Sequence, residues 1–212
     1  MPSSMRYRLL RGRLQVLRRI FLPVRFSSTG SYGPDTLDRA RAFRVLMHAE
    51  IEAYFEDKVS EVAAAAFRAW ERSGRVSRAL AAILASCPPK PNEPGVPKQL
   101  GGTPFVEGRV KSAYGAFRQM VRENHGVRRK DILRLLLPVG LKEGKIDPIW
   151  LNDLDGFGLD RGHVAHTTGV RSRVQYSIDP ASDLQTVERL VKELETIDGE
   201  IKELLTPLKR YQ

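Results

Sequence analysis

Between Asp35 and Glu71 the chain reads DTLDRARAFRVLMHAEIEAYFEDKVSEVAAAAFRAWE, without a glycine or proline, and Ser73-Gly74 follows. Phe43, Leu46, Met47, Ile51, Tyr54, Phe55, Val59 and Val62 recur at helical steps and line one face. The spacing predicts a single long helix whose aromatic residues serve the core. Glu50 falls on the same face as Met47 and Tyr54, whereas Glu52 points away. A carboxylate in an apolar stripe needs a cation or several hydrogen bonds to stay charged. Glu50 therefore either pairs with a structural Arg or Lys or orients a catalytic group; it is expected to be buried and paired with a cationic or imidazole group of the Arg161–His166 region.

The same period appears on both sides of this stretch. Upstream, Tyr7, Leu10, Leu14, Leu17, Phe21 and Val24 form one stripe of an amphipathic helix. The first 34 residues contain seven arginines and no acid. Such a start mimics a mitochondrial transit peptide; the regular stripe favours a structural helix with its arginines outward, closed by Pro23 and the Ser27–Ser31 run. Downstream, Asp179 and Pro180 are an N-cap and first-turn pair. Val187, Leu190, Leu194, Ile197, Ile201, Leu204 and Leu208 then form a heptad seam, packed on its own domain or against a second subunit. Gly199 and Pro207 argue against a long autonomous coiled coil.

Between these segments, shorter helices are expected near residues 76–86, 106–124, 129–137, 148–155 and 160–166, all within about two to four residues. Cys87–Pro104 holds six prolines and three glycines and is expected to be irregular, an insertion or a functional loop. No stretch alternates as a strand does, so the fold class is all-α. The organisation expected is a basic N-terminal helix and linker over 1–30, a helical domain over 31–178 carrying the Pro-rich loop 87–104, and a C-terminal helix over 179–212.

Composition narrows the function classes. The 212 residues are 42% hydrophobic with a formal charge of +10, which suits a globular chain with polyanionic partners, nucleic acid above all. Cys87 is the only cysteine, so an intrachain disulfide or Cys-rich zinc site is excluded and a cytoplasmic location is the natural reading. No apolar run approaches the roughly 20 residues that span a bilayer, so no membrane partner is expected. There is no P-loop or dinucleotide fingerprint and no cofactor is implied. The basic turn at Arg128, Arg129 and Lys130 is either solvated charge or a phosphate contact.

The constellation that stands out runs from Asp147 to Thr167. Asp147 and Pro148 start a short helix, Gly156 and Gly158 are expected to break it, and Asp160 to cap the next. Arg161, His163 and His166 then fall in opening turns, where free backbone N–H groups favour an anion. His163 and His166 lie about 60° apart on a regular helix, whereas Arg161 and His166 lie about 140° apart. Only a long arginine reach or an irregular helix start brings that pair together. Two imidazoles and Glu50 also make a conceivable metal set, but the spacing and basic surroundings suit a cation poorly.

Arg161-x4-His166 resembles the R-x(4–6)-H motif of the HEPN superfamily, helical domains of many ribonucleases and prokaryotic conflict-system toxins. The run Arg39–Tyr54, with its His48-Ala49-Glu50-Ile51-Glu52 core, is similar to the "HAE-hydrophobic-E" helix of one prokaryotic branch. Arg161-Gly-x-x-Ala-His166 is similar to that branch's form of the motif. The resemblance covers about Ser31–Thr168, outside the Pro-rich loop. Gly162 stands where many members carry Asn, Asp or His, which leaves open whether His163 takes over that role. The resemblance implies an up-down helical bundle, here with extra N- and C-terminal helices. It also implies a homodimer joining two motifs in one cleft, metal-independent RNA cleavage, and a toxin or antiviral defence role with an antitoxin or regulatory protein.

The residue chemistry agrees with that implication. RNA cleavage without a metal uses the 2′-OH as nucleophile, leaves a 2′,3′-cyclic phosphate, and needs a proton acceptor, a proton donor and a cation. Arg161 suits the phosphate, His166 the main acid/base role and His163 positioning or a second proton transfer, with Glu50 as the orienting group. The alternative is a non-catalytic helical module that binds RNA, a nucleotide or a protein.

Overall fold

Ser4 opens the first helix: its hydroxyl accepts from the Tyr7 backbone N–H at 3.1 Å and so occupies one of the donors a helix start leaves over. In the computed structural model, residues 3–88, 103–166 and 178–208 are described, with the backbone alone at 103–104 and 160–166. Among the described residues every regular element is helical: α1 (Met5–Phe21), α2 (Pro34–Ser73), α3 (Arg78–Ser86), α4 (Thr103–Arg122), α5 (Arg129–Leu136), α6 (Pro148–His166) and α7 (Pro180–Leu205). Two short 3₁₀ turns, Leu137–Val139 and Glu143–Lys145, connect α5 to α6. No helix among these residues is long and apolar enough to cross a membrane.

The chain divides by packing into two compact units. The first holds Met1–Tyr54, His125–Ile132 and Ile146–Gly199; the second holds Phe55–Asn124, Leu133–Lys145 and Glu200–Gln212. In the first unit α1 lies against α2 and α7. The rings of Tyr7 and Tyr54 meet edge to face at 6.5 Å, and the Tyr7 hydroxyl donates to the Val191 carbonyl at 3.1 Å. Burial, followed by the neighbouring Glu195 carboxylate, pushes the Tyr7 hydroxyl above its usual pKa. Asp198 is buried and accepts from the Ser4 backbone N–H at 2.7 Å, the Ser4 hydroxyl at 2.5 Å and the Tyr54 hydroxyl at 2.9 Å. Arg44 of α2 and Asp183 of α7 form a nearly enclosed ion pair. These groups meet the requirement that buried charge be paired or hydrogen-bonded.

The second unit is held by small residues and rings. Ala63, Ala65, Ala66 and Ala69 of α2 are buried with Leu80, Ile83, Val110 and Phe117, and Phe67 stacks on Tyr114 at 4.4 Å. Gly74 takes φ 67° and donates to the Trp70 carbonyl, ending α2 in the left-handed cap that only glycine adopts cheaply. Arg109 of α4 donates to the carbonyls of Leu84 and Cys87, placing a cation at the C-terminus of α3. Burial pushes the Cys87 thiol up, which keeps it protonated and a poor nucleophile.

Three expectations change. Tyr7, Leu10, Leu14 and Leu17 are buried, but α1 ends at Phe21, so Leu22 turns inward and Val24 is fully exposed. In α7 Leu205 is buried rather than Leu204, because 3.6 residues per turn outruns a strict heptad over several turns, and the helix runs through Gly199. The third change concerns the site. Gly156 and Gly158 do not break α6, which is continuous from Pro148 to His166, so position 160 lies inside a helix and not at the start of one. A glycine costs a helix only about 1 kcal/mol, and packing offsets that. Gly158 is buried against the α5 entry, where an added Cβ would lie 3.0 Å from Arg128 Cγ and 3.4 Å from its backbone nitrogen.

Candidate functional site on helix α6

Asp147 stands just before helix α6, and its carboxylate accepts from the Ile149 N–H at 2.9 Å. Trp150, Leu151, Leu154 and Phe157 then point into the first unit, and the Trp150 indole donates to the Leu190 carbonyl at 3.2 Å. Arg189 of α7 reaches Asp153 at 3.1 Å. Asp155 accepts from the Arg129 backbone N–H at 3.0 Å and the Arg128 guanidinium at 3.3 Å, and Arg129 also reaches Asn152 at 3.4 Å. The basic turn is thus stitched to α6 through Arg128 and Arg129, while Lys130 is exposed. The phosphate-contact reading of this turn rests on groups already partly engaged in holding the fold.

Arg161, His163 and His166 occupy the end of α6 that follows this anchored stretch. Their side chains lie outside the described residues. The backbone nevertheless changes two expectations. With the helix starting at Pro148, the N–H groups at these positions are those of a helix interior, so the anion-attracting opening turn is absent there. An uninterrupted helix also keeps positions 161 and 166 about 140° apart and 163 and 166 about 60° apart. An irregular helix start does not bring Arg161 and His166 together.

Glu50 is a partly exposed carboxylate, with a side-chain exposure of 25%, in a 2.8 Å ion pair with Arg13 of α1. The expected buried Glu50 is therefore corrected, and its described partner is a structural arginine. Its place on the wheel explains this. The buried arc of α2 runs from Phe43 through Ile51 to Val59, and Glu50 lies about 20° outside its Phe43 edge. Arg44, His48 and Lys58 fall inside the same arc by the same arithmetic.

His48 lies inside this arc, next to α6. It is buried, stacks on Phe157 of α6 with centroids 6.0 Å apart and planes at 30°, and its Nδ1 lies 3.7 Å from the Glu52 carboxylate one turn on. Position 161 follows Phe157 by one turn. The signal that finds His48 is its angle, about 20° from Phe55. An imidazole there must be met by a polar group or a ring, and it has both. Comparison with protein-family models, curated proteins and solved structures returned no match for this chain.

Proposed function

We propose that the chain is a HEPN-type, metal-independent endoribonuclease of the toxin or antiviral class, acting in the cytoplasm as a homodimer on accessible RNA. The observation that carries the reading is a contact between the α2 segment that resembles this superfamily and the residue one turn before the Arg161-x4-His166 motif on α6. His48, in the His48-Ala49-Glu50 segment of α2, stacks on Phe157 of α6, and α6 continues without a break into Arg161-x4-His166. The all-helical architecture and the charge of +10 are in keeping with it. An antitoxin or regulatory protein belongs to the same proposal.

In the proposed reaction a base takes the proton of a 2′-OH, the oxygen attacks phosphorus in line, and the 5′-oxygen leaves with a proton from an acid. The products are a 2′,3′-cyclic phosphate and a 5′-OH, so no water or metal enters this step. Arg161 holds non-bridging oxygens as charge builds, and His166 serves as the principal acid/base. His163 positions the substrate or makes the second transfer. A two-fold dimer brings a second set of these groups to a shared cleft.

The test is incubation of single-stranded and looped RNAs with the wild-type protein in excess EDTA. Cleavage to cyclic-phosphate ends is expected, with Arg161→Ala and His166→Ala each removing most of it while the far-UV helical signal stays. Activity surviving both substitutions would place the chemistry elsewhere. RNA that is bound but never cut would replace the proposal with the non-catalytic binding module.

A further inference from the structure

Helix α1 carries two apolar stripes, and only one is used by its own unit. Tyr7, Leu10, Leu14 and Leu17 are buried. On the opposite side Met5, Leu9, Gly12, Val16 and Ile20 lie within an arc of about 80°. Met5, Leu9 and Ile20 are 62%, 52% and 54% exposed. The first four follow one another at four, three and four residues, the d-a-d-a spacing of a coiled-coil seam. Arginines border this seam: Arg8 and Arg19 on one side and Arg13 on the other, all exposed. The first acid in the chain is Asp35.

From this pattern we infer that the outer face of α1 docks an acidic, heptad-patterned helix of a partner protein. Seam residues supply the apolar contact, and Arg8 and Arg19 stand where flanking glutamates of a partner would meet them, while Arg13 on the other border is already paired with Glu50. Gly12 sits in the middle of the stripe, and a Cβ built there meets nothing within 4 Å, so a partner helix has room to approach closely. A second copy of α1 is disfavoured because arginine would face arginine. A bilayer is disfavoured because a helix lying in a membrane surface presents a broad apolar face, whereas the outer stripe of α1 spans only about 80° and carries Gly12 midway along its length. The inference does not depend on the ribonuclease reading.

The probe is a labelled synthetic peptide of about three heptads with Leu or Ile at the seam and Glu at the flanks, matched by one with Lys at the flanks. Fluorescence anisotropy with the full chain should show saturable binding of the acidic peptide alone, weakening with salt. Leu9→Lys/Ile20→Lys should weaken it at least about tenfold while the helical signal is retained, since both side chains are exposed. Arg8→Glu/Arg19→Glu should shift preference toward the basic peptide. Equal binding of both peptides, no binding by the wild type, or full binding by the double-lysine variant would each overturn the inference. Two further results would overturn it by naming another occupant. One is cosedimentation with phosphatidylglycerol vesicles, without peptide binding, that the double-lysine variant loses. The other is a wild-type dimer that the same variant dissociates.

Discussion

The base of α1 and its middle are both tied to neighbouring helices by a carboxylate, yet the two ties differ in kind. At the base Asp198 is buried and takes three donors, from Ser4 and Tyr54. In the middle Glu50 takes one donor, Arg13, and both side chains remain partly in water. Removing a buried acceptor strands every donor around it, whereas removing a hydrated one lets water replace it. Sequence distance gives no hint of this ranking: the base joins residues 194 positions apart.

The largest effect should come from Asp198→Ala. Tyr54, fully buried, loses its acceptor where water does not substitute, and the half-buried Ser4 loses two bonds with it, at a cost of about 3 kcal/mol. Urea unfolding should show it as a lower midpoint. A loss below about 1 kcal/mol would mean that the base is no stronger than the middle. Tyr54→Phe sharpens the same contrast. The ring keeps its edge contact with Tyr7 and only the bond to Asp198 is lost, so about 1 kcal/mol is expected.

Next in size is a pair of glycines on α6. Gly156 is exposed and a Cβ there meets nothing within 4 Å, so Gly156→Ala should stabilise the protein by about 0.5–1 kcal/mol through helix propensity. Gly158→Ala gains the same propensity but presses on Arg128, so it should rank below Gly156→Ala in thermal unfolding. Equal gains from the two would show that the turn at Arg128 yields freely.

This pair also explains where sequence reading succeeds. The stripes of α1, α2 and α7 were legible because burial on one side of a helix imposes a 3.6-residue period on the apolar positions. The cap at Asp179 was legible for an equally local reason, and its carboxylate does accept from the Ala181 N–H at 3.0 Å. The course of α6 was not legible. Two glycines signal a break by propensity, and only the turn at Arg128, about 30 residues earlier in the chain, makes one of them a packing residue. Asp198 was hidden similarly: a lone acid in a charged helix reads as solvated until Ser4 and Tyr54 are brought to it. Of the site, the Arg161, His163 and His166 pattern is local and visible. His48 is visible in principle by its angle inside the buried arc of α2, but its partner Phe157 lies on a helix more than a hundred residues on.

The smallest effect expected is that of Glu50→Ala, and it bears most directly on function. Its pair with Arg13 joins side chains 25% and 45% exposed, so solvent screens the attraction and both ends rehydrate when the pair is broken. Exposed pairs of this kind contribute about 0.2–1 kcal/mol, and solvent screening puts this one at the lower end. Glu50→Ala should therefore move the urea midpoint barely at all, and Arg13→Ala likewise. A double-mutant cycle over the two should return a coupling under about 0.5 kcal/mol that shrinks further in high salt. Against that nearly silent stability background, any effect on RNA cleavage becomes informative. A substitution that leaves folding untouched and removes cleavage would give Glu50 a role in the reaction that its ion pair does not explain. Cleavage at the wild-type rate would leave it a surface partner of α1 and move attention to His48, two residues away and fully inside. A large loss of stability would instead mean that the middle of α1 is fastened as firmly as its base, and the contrast between them would fail.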